Sequence, residues 1–457
     1  MNINQIQSVY FIGAGGIGMS SLVRYFLSIN KKVAGYDKTP STLTAQLVKE
    51  GANIHYEDKP SLIPDFCKNK QTTLVVYTPA IPTNHKELTY FIENGYQIKK
   101  RAQVLGLITK SSKGLCIAGT HGKTTTSTIL AHLLHQSDIG CTAFLGGISQ
   151  NYHTNLLINK KSSYTVIEAD EFDRSFHSLA PYISVITSCE PDHLDIYKTK
   201  EAYYESFEHY TSLIRPKGAL LIHSDVKINP RLNPSVQKYT YSMNSGDFHA
   251  ENITINNGEI HFDFVAPNMK IEKINLGVPM YINIENSIAA LAVAYLCGSK
   301  KEDLSKGLSS YRGVERRFEF ILKTDNHVLI NDYAHHPAEV AKSIQSIKLL
   351  YPNRKLTTIF QPHLFSRTKD FYKEFANSLS LSDAIILLDI YPAREKPIKG
   401  ISSAIIFDEI NTDKPKALLT KETLLTKLPF LNTDIVLTLG AGDIVLLLPK
   451  IKTILEG

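Results

Sequence analysis

Two glycine-rich turns, each set between an apolar strand-like run and a helical stretch, constrain this chain more than any other feature. The first, Gly13-Ala-Gly-Gly-Ile-Gly18, follows the apolar run at residues 9–12. The second, Gly119-Thr-His-Gly-Lys-Thr-Thr125, follows residues 114–118 and opens a helical stretch at 123–134. A strand that ends in glycine and feeds a helix leaves free backbone N–H groups around the turn, which is a setting for phosphate. Strands alternating with helices around both turns predict parallel sheets covered by helices on both faces.

The 457 residues allow about three domains at roughly 150 residues each. We place them at 1–108, 109–313 and 314–457. The first and third read as Rossmann-like units. The second reads as a P-loop ATPase-like α/β unit with an antiparallel appendage at 248–276, where Asn257-Gly258 signals a hairpin. A hydrophobic content of 43% supplies several cores and excludes disorder. Lys and Arg number 50 against 44 Asp and Glu, a net charge of +6 spread along the chain, so a nucleic-acid partner is not expected. The five cysteines, at 67, 116, 141, 189 and 297, form no CxxC pair, which argues against structural zinc and a disulfide framework and for a cytoplasmic setting. The longest apolar run, 288–297, is about half of what a membrane span needs, so no membrane partner is expected. The N-terminus has no basic segment ahead of its apolar run and reads as a first strand rather than an export signal.

Taken alone, the first turn matches GxGxxG, and Asp37 lies near where a ribose-binding acid sits in dinucleotide sites. NAD(P), another diphosphate and plain tight packing all fit it. The second turn is more specific. Its N–H groups can wrap a triphosphate, Lys123 can reach the outer oxygens, and Thr124 can ligate Mg²⁺. Ile117 stands where the general P-loop has a glycine, so the loop is a short one. A dehydrogenase has no need of the second turn and a simple NTPase none of the first. An enzyme that joins a nucleotide-bearing substrate to something else at the expense of ATP uses both.

Polar clusters end further strands. Glu168-Ala-Asp-Glu171 sits where a P-loop enzyme would hold Mg²⁺, and Pro191-Asp-His193 could add a ligand. In the third block, Asp332-Tyr-Ala-His335-His336 could take ribose hydroxyls, and His363 with Arg367 could clamp a carboxylate. Ligands of open α/β sheets bind at the carboxyl ends of strands, where all four clusters fall.

Together these motifs resemble the Mur ligase family across essentially the whole chain. Arg101-Ala-Gln103, Asn283-Ile-Glu-Asn286, Arg316-Arg-Phe318, Tyr391-Pro-Ala393 and Gly440-Ala-Gly442 add to the match. The resemblance implies an ATP-dependent carboxylate–amine ligase of peptidoglycan synthesis, which joins L-alanine to the lactyl carboxylate of UDP-N-acetylmuramate through an acyl phosphate. It also implies that the first turn holds UDP rather than NAD, through Gly13, Gly15, Gly16, Gly18, Asp37 and Arg101. Gly119, Thr120, His121, Gly122, Lys123, Thr124, Thr125, Asn283, Asn286, Arg317 and Asp332 are implied for ATP. Thr124, Glu168 and His193 are implied for two Mg²⁺ ions, with Mn²⁺ an acceptable substitute. His363 and Arg367 would place the amino acid. Lys123, Glu168, His193, His335 and Arg367 would form the catalytic set, with the third domain closing over ATP.

The chain departs from the family pattern at Ile282, often His, and at Leu364, often Arg. Where several relatives carry a carbamylated lysine, this chain has Glu208, already a carboxylate. The nearest alternative is a relative that attaches a recycled tripeptide to UDP-N-acetylmuramate; alternatives from other classes are an NAD-dependent oxidoreductase and a non-catalytic nucleotide-binding partner. The oligomeric state is left open.

Overall fold

In the computed structural model, residues 3–82, 84–192, 194–393, 395–411, 413–430 and 433–457 are described. The chain forms two compact units. Met1–Glu251, Asp263–Ile274 and Ile284–Tyr311 make the first; Asn252–Phe262, Asn275–Asn283 and Arg312–Gly457 make the second.

The first unit carries two sheets. One is wholly parallel, in the order Asn53–His55, Lys32–Tyr36, Ser8–Ile12, Thr73–Tyr77, Gln97–Lys100. Every residue of Ser8–Ile12 is buried, as a strand covered on both faces requires. Val9 and Phe11 pack with Leu22, Val23 and Phe26 of helix Ile17–Ser28, while Tyr10 and Ile12 pack with Val75, Leu88 and Phe91. Strand order reverses at Ser8–Ile12, so the switch point of the sheet lies where Gly13 begins.

The second sheet runs Gln237–Tyr241, Ala219–His223, Ile183–Ile186, Lys113–Ala118, Tyr164–Glu168, Thr142–Phe144, Leu156–Leu157. Only the last pair is antiparallel. Lys113–Ala118, which feeds the second glycine turn, is central. Helix Asn283–Leu296 has Ile288, Leu291 and Val293 fully buried.

The second unit holds a six-stranded sheet, ordered Glu319–Lys323, Val328–Asp332, Ile435–Leu439, Leu356–Phe360, Ala384–Leu387, Lys416–Leu418. Its first strand is antiparallel and the rest are parallel. A three-stranded sheet of His249–Asn256, Glu259–Ala266 and Met269–Asn275, whose residues are divided between the two units, occupies the stretch expected to carry the appendage. Both turn residues, Asn257 at φ 49 and Gly258 at φ 74, have the positive φ of a type I′ hairpin. Among the described residues, no helix is long and apolar enough to cross a membrane.

A buried polar network sits on the first sheet. Tyr10 donates to Glu87 Oε2 at 2.7 Å, the Lys59 N–H donates to Oε1 at 3.2 Å, and His55 Nε2 lies 3.2 Å from Oε1. Asp58 caps helix Lys86–Glu93 from outside, accepting from the N–H groups of Lys86 and Glu87 at 2.9 and 3.0 Å. Burial pushes the Glu87 carboxyl up to about 7, against 4.5 for a free one. Folded Glu87 therefore keeps its proton over a range where the unfolded chain has released it. Its contribution to stability is complete below pH 4.5 and is lost as pH rises to about 7, a change of about 3 kcal/mol. His55 and His85, pushed down by burial, act oppositely on the acid side of 6.5, but a Glu87→Gln variant shares them. We expect the thermal midpoint of the wild type, relative to Glu87→Gln, to fall steadily between pH 4.5 and 7 and then level off. A gap between the two proteins that ignores pH would contradict the assignment.

Candidate active site

Strands Lys113–Ala118, Tyr164–Glu168 and Ile183–Ile186 are neighbours in parallel register, with Ile117 opposite Glu168 and Ala118 opposite Ile186. The glycine turn, Glu168 and the segment from Thr187 onward therefore leave the sheet at one level. Gly119 has φ 131, and a Cβ there would strike Thr187 Oγ1 and lie 2.8 Å from Ser188 N, so only glycine fits. The turn is braced from outside. Thr187 Oγ1 donates to the His121 carbonyl at 2.5 Å, the His121 N–H donates to Ser188 Oγ at 2.9 Å, and Thr120 Oγ1 donates to the Glu190 carbonyl at 2.8 Å while lying 2.9 Å from Tyr203 Oη. Gly122, at φ 81, caps helix Lys123–Gln136, which presents its first N–H groups to the turn.

Lys123 Nζ folds back on the turn, donating to the carbonyl of Gly119 at 2.6 Å and pairing with Glu171 Oε2 at 2.8 Å. Its side chain is 12% exposed and that of Glu171 only 2%. Burial pushes the Glu171 carboxyl up, and Lys123 pulls against that. Thr124 Oγ1 lies 3.1 Å from both oxygens of Glu168, which puts a hydroxyl and a carboxylate where one cation can meet both. Asn286 Oδ1 accepts from Thr126 Oγ1 at 3.2 Å, which ties its helix to helix Lys123–Gln136. His193, expected as a further metal ligand, lies outside the described residues. Glu208 is engaged elsewhere, accepting from the Asn229 N–H at 2.9 Å and from Arg231 at 3.3 Å.

At the first turn, Asp37 Oδ2 accepts from the Gly15 N–H at 2.7 Å. The guanidinium of Arg101 lies so close over Gly18 that a Cβ there would come within 2.8 Å of it. Gly13, Gly15, Gly16, Gly18, Asp37 and Arg101 thus gather at one strand end, and Arg101 brings a cation to the start of helix Ile17–Ser28.

In the second unit, Asp332 ends Val328–Asp332 and accepts from the Ser343 hydroxyl; burial pushes its carboxyl up. Arg317 lies near enough to pull that carboxyl the other way. The rings of His335 and His363 are 6.1 Å apart, and Arg367 depresses both imidazoles further after burial has lowered them. His363 stacks on Tyr391 at 5.8 Å. Buried His363 Nδ1 and Arg367 Nη1 have no protein partner among the described residues. Leu364, the departure from the family pattern, has φ 70 and starts helix Phe365–Leu379; Ile282, the other departure, is 39% exposed. Asn283 is buried and donates to the Val278 carbonyl at 3.2 Å.

Some residues of consequence were not assigned a role from sequence. Glu171 stands in the acidic motif but gives no sign that it neutralises Lys123. Arg316 stacks over Tyr333 at 4.7 Å and donates to the Gly442 carbonyl at 3.0 Å. The Thr187, Ser188 and Tyr203 braces depend on strand adjacency, which no local pattern carries.

Family models match three successive stretches: "Mur ligase family, catalytic domain" over residues 8–113, "Mur ligase middle domain" over 117–294, and "Mur ligase, glutamate ligase domain" over 316–451. Proteins named UDP-N-acetylmuramate–L-alanine ligase from Phocaeicola vulgatus and Parabacteroides distasonis are 59% and 60% identical over 456 residues, covering 100% of this chain and 100% and 98% of theirs. The crystal structure of a UDP-N-acetylmuramate–alanine ligase from Thermotoga maritima matches with a TM-score of 0.80 at 25% identity over 98% of both chains. A murein peptide ligase from Psychrobacter arcticus shares the fold, with a TM-score of 0.63 at 20% identity over 99% of both. With three α/β domains in the expected order and relatives matched from end to end, the chain belongs to the Mur ligase family.

Proposed function

We propose that this protein joins L-alanine to the lactyl carboxylate of UDP-N-acetylmuramate and uses ATP to do so, a step in peptidoglycan synthesis carried out in the cytoplasm. The observation that carries the reading is end-to-end identity of 59–60% to proteins bearing that activity as their name. The Thr124–Glu168 pair beside a buried Lys123 supplies the local chemistry. An oxidoreductase has no use for that pair.

The residues fit a nucleoside triphosphate and a divalent cation. The turn at Gly119 has no room for a side chain, and Lys123 is a buried ammonium held by one carboxylate that a phosphate could replace. Thr124 and Glu168 would hold Mg²⁺, with His193 proposed for a second ion. The metal supplies neutralisation between two anions that otherwise repel. Lys123 would exchange Glu171 for phosphate oxygens and stabilise charge on the transferring group. The lactyl carboxylate oxygen forms a bond to the γ-phosphorus as the bond to ADP breaks. The amine of L-alanine then bonds to the acyl carbon, phosphate leaves, and the amine gives up a proton. Gly13, Gly15, Gly16, Gly18, Asp37 and Arg101 are proposed to hold the UDP moiety, and Asn283, Asn286, Arg317 and Asp332 the nucleoside and phosphates of ATP. His335, His363 and Arg367 are proposed to orient L-alanine. Nη1 of Arg367, unpartnered among the described residues, is the donor its carboxylate would satisfy, since a buried donor left without a partner costs about 1–3 kcal/mol.

Two outcomes test this reading. Phosphate release should require UDP-N-acetylmuramate and L-alanine together with ATP, and Lys123→Ala should lower it about a hundredfold or more while the far-ultraviolet spectrum is unchanged. Rapid ATP turnover without the nucleotide sugar would speak against the function. Arg367→Lys keeps the charge but loses the paired donors. Its kcat/KM for L-alanine should drop by the equivalent of about 1–3 kcal/mol, with KM for ATP nearly unchanged. A wild-type value for L-alanine would show that Arg367 is not the anchor.

A further inference from the structure

We propose that Asn155 is a positioning residue that keeps the nucleotide-sugar turn in register with the metal-binding pair. Asn155 stands just before strand Leu156–Leu157 on the second sheet, and its side chain is wholly buried. It reaches across to the first sheet's helix Ile17–Ser28. Its Nδ2 donates to the Ile17 carbonyl at 2.6 Å and to Ser20 Oγ at 2.9 Å, while its Oδ1 accepts from Arg24 at 2.5 Å. Ile17 and Ser20 are in the first turn of the helix that Gly13–Gly18 opens. Arg24 is in turn fixed by Glu50, with Nε to Oε2 and Nη2 to Oε1 both at 2.9 Å.

The main chain of Asn155 leads toward the other site. Its carbonyl accepts from the Leu145 N–H at 2.9 Å. The next residue, Gly146, packs so tightly under the metal-binding pair that a Cβ there would strike Glu168 Oε2 and lie 3.0 Å from Thr124 Oγ1. One buried amide therefore connects the start of the UDP helix to the floor beneath Thr124 and Glu168. A buried amide with all its groups satisfied admits few alternative positions, because shifting either partner strands a polar atom. The reaction needs the lactyl carboxylate within attacking distance of the γ-phosphorus, and a displacement of about 1 Å can cost on the order of a hundredfold in rate.

This inference rests on the proposed ligase activity, and the wild-type assay separates the two: an inactive wild type ends the functional reading, whereas an active one leaves Asn155 to be tested. Asn155→Asp retains the acceptor for Arg24 but loses both donors and sets a carboxylate against the Ile17 carbonyl. We expect kcat to fall about tenfold or more. Calorimetric affinities for UDP-N-acetylmuramate and for a non-hydrolysable ATP analogue should stay within about twofold, because each turn stays intact by itself. Ser20→Ala removes one bond with little risk to folding and should lower kcat about two- to fivefold with the same unchanged affinities. A wild-type kcat in folded Asn155→Asp would overturn the proposal. So would a parallel loss of both affinities with a lowered thermal midpoint, which marks a purely structural role. Should Asn155→Asp fail to fold, a wild-type kcat in Ser20→Ala is the overturning result.

Discussion

Parallel register between three adjacent strands sets everything else in the first unit. Ile117 lies opposite Glu168 and Ala118 opposite Ile186, so three loops begin side by side at one edge. A slip of one residue would move each strand's side chains to the opposite face of the sheet and draw Glu168 away from Thr124. Close packing opposes this, since Leu115, Ile117, Val166, Ile167, Val185 and Ile186 are all buried and a changed register would misfit side chains of different shape. The position of the chemical groups is thus paid for by residues that have no chemistry of their own.

That arrangement brings charge into a poorly solvated place. Lys123 and Glu171 are both nearly closed off from water, and the direction in which Glu171 is pushed shows that desolvation outweighs the attraction of its partner. A buried pair of this kind adds little net stability compared with an apolar pair, yet removing one member leaves an uncompensated charge. Glu171 is the counter-charge that makes a buried lysine tolerable. The Tyr197 hydroxyl, donating to the Glu171 carbonyl at 2.5 Å, holds that carboxylate's backbone in place.

Central elements were legible in the sequence because their patterns are local. The strands beginning near Val9, Gly114, Tyr164, Val328 and Ile435 are apolar runs bounded by glycine or polar residues, and both glycine turns lie where strand–helix reasoning puts them. Three edge strands were not legible. Gln237–Tyr241 is polar and partly exposed, Leu156–Leu157 has two residues, and Asn53–His55 has three, too short for any periodicity. The site divides in the same way. Lys123, Thr124 and Glu168 follow from motif and position at strand ends. Glu171 as counter-ion, Asn155 as a link and the braces from Thr187 and Ser188 arise from contacts between segments far apart in the chain, and spacing along one segment cannot encode them.

The two units differ in how they satisfy their cations, and the difference follows from where each cation stands. Lys123 begins a helix beneath a turn whose carbonyls and neighbouring carboxylate already surround its ammonium. A flexible point charge can take such partners from several directions. Arg367 is a planar fork on the first turn of helix Phe365–Leu379, beside two imidazoles whose pKa burial lowers, and one of its nitrogens is buried without an acceptor among the described residues. Glu395 is taken up by the N–H of Ser366 at 3.0 Å and by its hydroxyl. With Glu395 directed to the helix start, Arg367 Nη1 is left without an acceptor among the described residues.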